Sequence, residues 1–192
     1  MKKNNLFFKK NDGFTLLELI VSISIFVIVS TVVLANYSKY SGRVSIENLA
    51  HEIAISIRQA QVFGQNIREF GAGSNQFPSY GVHFDSTNKN SFVFFADVNG
   101  NKKYDSPDCV SVGTECIERF IIQTGSSISD LCGDTVCSRD SLDVTFTRPD
   151  PDAYILSNGA GSPHSTGDIV VTTNKGESKK VVVSAVGQIS IK

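Results

Sequence analysis

One short segment of the chain, from residue 97 to residue 105, carries oxygen-bearing side chains at nearly every second position. These donors are Asp97, Asn99, Asn101 and Asp105, with the main-chain carbonyl of Lys103 at the remaining alternate position. Oxygen atoms at this spacing can converge on a hard cation, as they do in the first half of a calcium-binding loop. Calcium is therefore the one cofactor that the sequence suggests.

Two positions of this segment depart from a standard calcium loop. Lys102 stands at the sixth position, where glycine is usual, and Asp108 stands at the twelfth, where glutamate is usual. The alternative interpretation is a polar hairpin turn built around Asn99 and Gly100, which needs no metal. The residues alone leave both interpretations open.

The four cysteines form a second candidate set. Four cysteines allow three pairings, and the short separations favour Cys109 with Cys116 and Cys132 with Cys137. If this region lies outside the cell, as the N-terminal segment predicts, the oxidising surroundings favour disulfides over zinc, and the spacings differ from those of a zinc ribbon. Free buried thiols are the alternative.

The three histidines give no indication of catalysis. His51, His83 and His164 are scattered along the chain and form no metal-ligand or nucleophile pattern. The sequence also contains no glycine-rich phosphate loop, and no nucleophile, base and acid can be grouped from it. We therefore expect no enzymatic activity.

The charge of the chain is unevenly divided. Residues 1–13 carry a balance of +3, while residues 14–192 carry −4. A basic start followed by a mildly acidic body favours a membrane-targeting segment over a nucleic-acid-binding protein. Residues 1–13 are therefore the predicted leader, and their charged residues are Lys2, Lys3, Lys9, Lys10 and Asp12.

Residues 14–35 form an apolar segment that is long enough to cross a bilayer as a helix, and its one charged residue is Glu18. An ordinary secretory signal has an apolar region of only about 7–15 residues, without an acid inside it. A plain N-terminal anchor would not explain Glu18, because inserting a carboxylate into the membrane costs about 2.5–3.5 kcal/mol. The leader lysines predict a single-pass inner-membrane protein with its N-terminus inside and its C-terminal part exported.

The stretch KKNDGFTLLE at residues 9–18 resembles the prepilin motif of type IV pilins and type II secretion pseudopilins. The resemblance implies that a prepilin peptidase cuts between Gly13 and Phe14 and N-methylates Phe14. It also implies that Glu18, the fifth residue after the cut, neutralises the Phe14 amine of a neighbouring subunit. Opposite charges in lipid attract strongly, which agrees with this role. The implied partners are the peptidase, other pilin or pseudopilin subunits, the inner-membrane assembly platform and the lipid bilayer.

Residues 36–71 continue the helix as an amphipathic segment. Apolar residues recur at alternating intervals of three and four, interrupted once by Ser56, opposite a charged face. We expect one helix from about residue 14 to residue 70, ended by Gly71 and Gly73, with its stripe packed on a folded head. A coiled coil with a partner is the alternative. The stripe consists of Ile46, Leu49, Ile53, Ala60, Phe63, Ile67 and Phe70.

Residues 77–192 are predicted to form a β-rich head. Eight short runs of β-branched and aromatic residues are separated by Gly, Asn, Asp and Pro. The predicted class is therefore α+β, with a long N-terminal helix, half transmembrane and half amphipathic, packed on an antiparallel β-sandwich-like head. The predicted strands are residues 80–84, 91–96, 117–123, 142–147, 153–156, 168–173, 179–184 and 188–191.

The chain as a whole also resembles the H-type subgroup of minor pseudopilins, which includes minor type IV pilins. The segments that carry this resemblance are residues 57–61, 80–84, 97–101 and 183–187. It implies a low-abundance subunit of a type IV pilus or a type II secretion pseudopilus. The alternatives are a filament-tip module that captures DNA or a surface, and an anchored β domain that never polymerises. Nucleic acid is the less favoured ligand, because Lys175, Lys179, Lys180 and Lys192 form only a modest basic cluster.

Overall fold

The first twelve residues, which include the leader lysines, lie outside the part of the chain that the structure describes. The computed structural model describes residues 13–71, 73–106, 109, 114–122, 125–158 and 161–192. Within them the chain forms one helix, α1 (Leu16–Gln65), and nine strands. The chain divides into two units, residues 1–40 and 41–192, and α1 contributes to both.

The first unit contains the N-terminal part of α1, which begins with a side-chain cap. The Glu18 N–H donates to Thr15 Oγ1 over 3.2 Å, and the Leu19 N–H donates to the Thr15 carbonyl over 3.1 Å. Thr15 is therefore the N-cap residue, and it satisfies main-chain N–H groups that have no partner within the helix. Further along, hydroxyls bond to carbonyls one turn earlier, so they add no unpaired polar group to the apolar surface. These hydroxyls belong to Ser22, Ser24 and Thr31.

In the second unit, α1 buries one apolar stripe in the core of the head. Ser56, the polar member of the stripe, is also buried, and its hydroxyl donates to the Glu52 carbonyl over 2.9 Å. The expected amphipathic half is therefore present, and the interruption in the stripe causes no unpaired polar group. The buried stripe consists of Ile46, Leu49, Ala50, Ile53, Ile57 and Ala60.

The helix ends at Gln65, so the expected end near residue 70, at Gly71 and Gly73, is wrong. Asn66 Nδ2 donates to the Val62 carbonyl over 2.7 Å, and the Asn66 N–H bonds to the same carbonyl. A short amide side chain that bonds the main chain in this way competes with continuation of the helix. Ile67 is 77% exposed as a result, although the periodicity placed it on the buried stripe.

Two antiparallel sheets form the rest of the head, which confirms the α+β class. The first has five strands in the order β3-β2-β1-β5-β6, and the second has four in the order β4-β7-β8-β9. Both contribute to one hydrophobic cluster with the α1 stripe. The strands are β1 (Ser79–Asp85), β2 (Ser91–Asp97), β3 (Cys116–Ile121), β4 (Ser126–Gly133), β5 (Ser141–Phe146), β6 (Ala153–Ser157), β7 (Thr166–Thr173), β8 (Ser178–Ser184) and β9 (Ile189–Ile191).

Strand β4 is the element that the sequence does not predict. Half of its sequence, SSISDLCG, is serine or aspartate, and its pairing with β7 shifts register between Ile128 and Asp130. This bulge interrupts the two-residue alternation by which a half-buried strand is recognised. The strand still buries Ile128 and Leu131 completely, so it closes one side of the core.

Close packing at the end of α1 sets the separation between the helix and β5. A Cβ atom added to Gly64 would lie 2.8 Å from the Phe146 Cβ atom and 2.8 Å from its carbonyl carbon. The preceding residue, Phe63, makes edge-to-face contacts with Tyr80 and Phe94, at centroid distances of 5.6 and 5.5 Å. Only glycine at position 64 lets the helix approach β5 this closely while the neighbouring Phe63 makes its two ring contacts.

We predict that Gly64→Ala lowers the free energy of unfolding by about 1–3 kcal/mol, because the added methyl group overlaps main-chain atoms of β5. Gly42→Ala is the matched control. Its added Cβ has no neighbour closer than 3.6 Å, so the better helix propensity of alanine should raise stability by about 1 kcal/mol. Urea unfolding of the full-length protein in detergent measures both. Equal stability of the two variants would contradict the packing argument.

Candidate functional site

The predicted cut site lies just before α1. Gly13 and Phe14 are outside the helix, which begins at Leu16, and Phe14 is 74% exposed. A peptide bond in this position is not held by helical hydrogen bonds. The structure therefore presents Gly13 and Phe14 as an exposed, non-helical segment directly followed by a capped helix.

Glu18 lies in the first turn of α1, where a negative charge interacts favourably with the helix dipole. It stands three residues after the N-cap Thr15, the spacing of a capping box. No described residue pairs with its carboxylate. Glu18 is the one acidic or basic residue between residues 14 and 35, and most of its neighbours on the helix surface are apolar.

The N-terminal part of α1 exposes an apolar surface along its whole length. Within the described residues, α1 is the one helix that is long and apolar enough to span a membrane, and its most apolar window is entirely unburied. In water such a surface would be highly unfavourable. It suits a single-pass membrane anchor or a contact surface with other apolar helices. The exposed side chains are Leu16, Leu17, Leu19, Ile20, Val21, Ile23, Ile25, Phe26, Val27, Ile28, Val29, Val32, Val33 and Leu34.

The structure brings the candidate calcium ligands together in the loop after β2. Asp97 accepts the N–H groups of Asn101 and Lys102, over 2.9 and 3.1 Å. The amide nitrogen of Asn99 donates to Asp105 Oδ2 over 3.0 Å, and the Asn101 amide donates to the same oxygen. Lys103 is also in the loop, with its ammonium 3.0 Å from Asp105 Oδ1.

Glu115 completes this cluster, although no sequence pattern predicts that it belongs there. Its Oε2 accepts the Asp105 N–H over 3.0 Å, although it lies at the other end of the connection, just before β3. Burial raises the pKa of the Glu115 carboxyl above its usual range, and the charges of Asp97 and Asp105 add to that rise. The absence of periodicity around Glu115 explains why its proximity could not be predicted.

Both predicted disulfide pairs are present in the structure. Cys109 is bonded to Cys116, and Cys132 is bonded to Cys137. The first bond fixes the start of β3 next to Glu115, and the second closes the turn after β4. Because all four sulfurs are in disulfides, the grouping of Asp130 with Cys132 and Cys137 offers no thiolate to a metal.

A serine, a histidine and an aspartate are also connected by hydrogen bonds, which no sequence pattern predicts. His164 Nε2 lies 2.8 Å from Ser157 Oγ, and His164 Nδ1 lies 2.8 Å from Asp134 Oδ2. The hydrogen bond from His164 holds the pKa of the Asp134 carboxyl below its usual range. Gly133 allows the imidazole to sit there, since a Cβ at that position would be 2.6 Å from the ring.

Another histidine, His83, lines the edge of an open cavity of about 370 Å³. Its Nδ1 lies 2.7 Å from Oδ1 of the buried Asp143, and the Tyr104 N–H donates to the same oxygen over 3.2 Å. Asp143 therefore connects β5 to β1 and to the loop after β2. The cavity is polar and also lined by Arg119.

The N-terminal segment matches a known family. Residues 8–34 match the family described as the prokaryotic N-terminal methylation motif. No curated protein and no solved structure matches the chain. The match includes Gly13, Phe14 and Glu18, and it implies processing by a prepilin peptidase and pilin-type assembly. This N-terminal match supports assignment of the chain to the type IV pilin and pseudopilin family.

Proposed function

We propose that the chain is a minor subunit of a type IV pilus or of a type II secretion pseudopilus. After cleavage, it assembles through its N-terminal helix with other pilin or pseudopilin subunits, on an inner-membrane assembly platform. The observation that carries this proposal is the position of Glu18. It is an unpaired carboxylate among described residues, on an apolar helix surface, at the fifth position after the cut site.

The energetics of Glu18 favour a partner on another subunit. An isolated carboxylate in an apolar span costs about 2.5–3.5 kcal/mol on insertion scales. Cleavage before Phe14 creates an amine near the same end of the helix, which is also costly to bury alone. Contact between the Glu18 carboxylate of one subunit and the Phe14 amine of the next offsets both costs, and this pairing requires helices that lie side by side.

The proposed orientation puts the leader in the cytoplasm and the head outside. Four lysines precede the apolar segment, and positive residues are retained on the cytoplasmic side. The two disulfides of the head are consistent with an oxidising compartment on the other side. The resemblance of the chain to H-type minor pseudopilins supports an accessory position in the filament over a place as the bulk subunit.

Nucleic acid is not part of the proposal. Two of the four lysines in the candidate basic cluster are engaged in ion pairs: Lys179 lies 3.5 Å from Glu47, and Lys180 lies 2.8 Å from Asp168. These carboxylates reduce the positive potential that phosphate binding needs. The charge of −4 on residues 14–192 acts in the same direction.

Catalysis is not part of the proposal either. Ser157 is only 4% exposed, at the end of a strand paired with β5, so its hydroxyl is not accessible to a substrate. Asp134 also accepts the N–H groups of Ser165 and Thr166, so it fixes the start of β7. We assign Ser157, His164 and Asp134 a structural role, which is to join the turn after β4 to the ends of β6 and β7.

We predict that Glu18→Ala lowers incorporation into filaments by at least roughly tenfold, since breaking a buried ion pair costs about 3–5 kcal/mol. Membrane insertion should be unaffected, because alanine is tolerated in an apolar span. The amount of subunit in sheared filaments, compared with the amount in the membrane, measures both. Glu52→Ala, which removes an exposed carboxylate from the same helix, is the control. Normal assembly of Glu18→Ala would favour an anchored domain that does not polymerise.

We predict that the mature chain begins at an N-methylated Phe14. Mass spectrometry of the intact protein, purified from cells with and without the peptidase, should show loss of residues 1–13 and gain of one methyl group only when the peptidase is present. Gly13→Val should block the cut, because a branched side chain replaces the exposed glycine. A mature terminus after Ala35 would show instead that the segment is an ordinary secretory signal.

We predict that His164→Ala lowers the free energy of unfolding by about 1–3 kcal/mol, because it leaves the buried Ser157 hydroxyl without its partner. His51→Ala, at an exposed helix position, should change it little. Urea unfolding of the two variants tests this. Labelling of Ser157 by a fluorophosphonate probe would contradict the structural role and indicate a reactive serine.

A further inference from the structure

We propose that the loop after β2, together with Glu115, is a calcium-binding site. The loop comprises residues 97–105. The proposal concerns the head alone and does not depend on which filament the chain joins. It adds Glu115 to the ligands that the sequence suggested, and three features of the structure support it.

The first feature is an unpartnered carboxylate oxygen. Glu115 is only 7% exposed, and its Oε1 has no hydrogen-bond partner among the described residues. Its other oxygen accepts the Asp105 N–H, so the carboxylate is directed at the loop. A buried carboxylate oxygen without a partner is strongly unfavourable, and a cation is the ligand that would satisfy it.

The second feature is that Glu115 lies outside the loop and is held in place by hydrogen bonds and a neighbouring disulfide. Its N–H donates to Ser106 Oγ over 2.8 Å, its carbonyl accepts the Ala96 N–H over 2.8 Å, and the next residue is bonded to Cys109. Glu115 is thus fixed at both ends before any cation binds. A calcium loop normally has a glutamate ligand at its twelfth position, where this chain has Asp108. Glu115, fixed outside the loop, can take the place of that glutamate.

The third feature is the conformation of Lys102. Its φ is 67°, in the left-handed region where glycine is usual, and its N–H donates to Asp97 Oδ2. The main chain therefore makes the sharp turn that the glycine at the sixth position of a calcium loop normally provides. The lysine side chain does not occupy the loop, because its ammonium donates to the hydroxyls of Ser79 and Thr147.

The chemistry of the donors favours Ca²⁺ over other cations. The cluster offers the carboxylates of Asp97, Asp105 and Glu115 and the amide oxygens of two asparagines, with no nitrogen or sulfur ligand. Amide oxygens have two lone pairs, so those of Asn99 and Asn101 can keep their main-chain N–H partners and still bind a cation. A loop of this kind, with many oxygens, suits Ca²⁺ better than Mg²⁺, which demands near-ideal octahedral geometry and retains several waters.

The charge balance also favours a divalent cation. Three carboxylates face one nearby ammonium, that of Lys103, which lies 3.0 Å from Asp105 Oδ1. Calcium binding would replace this ammonium and the amide N–H groups that now bond to Asp105. Lys103 is therefore a competitor for the site, and its removal should strengthen binding.

The test is a calcium titration of the full-length protein in detergent, after treatment with a chelator. We expect the melting temperature to rise with added CaCl₂, with a dissociation constant of about 0.1–1 mM, as in extracellular calcium modules. MgCl₂ at the same concentrations should raise it less. No calcium-dependent rise up to about 10 mM would overturn the site, and an equal response to Mg²⁺ would overturn its assignment to calcium.

Two variants with opposite expected effects make the test specific. Glu115→Gln should keep the fold, since the side chains have the same size, and weaken calcium binding by at least roughly tenfold. Lys103→Ala should tighten binding by about fivefold, by removing the competing ammonium. Glu118→Gln, on the exposed face of β3, is the matched control and should bind calcium like the unchanged protein. Unchanged binding in Glu115→Gln would exclude Glu115 as a ligand.

Discussion

Burial of one apolar stripe of α1 is the constraint on which the architecture of the head depends. Neither sheet has a core of its own, because residues of both sheets and of the helix form one hydrophobic cluster. The depth of the helix in this cluster is limited at Gly64, where main-chain atoms of β5 leave no room for a side chain. Its lateral position is held by Gln61, whose amide donates to the carbonyls of Pro151 and Gly187. The strands are thus arranged around a helix that is itself held by polar contacts.

The same helix meets opposite physical requirements along its length. Its second part buries a narrow stripe and keeps a charged face in water, as in any globular protein. Its first part exposes apolar side chains on every face, which is favourable only against lipid or other apolar helices. Glu18 lies near the start of that part, where the helix dipole stabilises a negative charge. Anchoring and assembly therefore involve one end of α1, and folding of the head involves the other.

Sequence patterns predicted the parts of the structure that have strong local periodicity. The apolar length of residues 14–35, the helical stripe and eight strands followed from such patterns, and the family match includes the Gly13 and Glu18 positions that were singled out. The patterns failed where the outcome depends on side-chain bonds between distant residues. Asn66 ends the helix early, and a β-bulge interrupts the alternating pattern by which β4 would be predicted. Glu115 approaches Asp105 only in the folded chain. The contact of His164 with Ser157 and Asp134 is of the same kind.

The shared core has a consequence for the time at which the head can fold. The last strands, β7 to β9, supply Ile169, Val171, Val181 and Val183 to the cluster that covers the α1 stripe. If export delivers the chain from its N-terminal end, the stripe emerges long before these strands do. During that interval the amphipathic segment is a membrane-adjacent helix without its cover, which favours adsorption to the bilayer surface or capture by a chaperone. With export in that direction, folding of the head would be coupled to completion of transport.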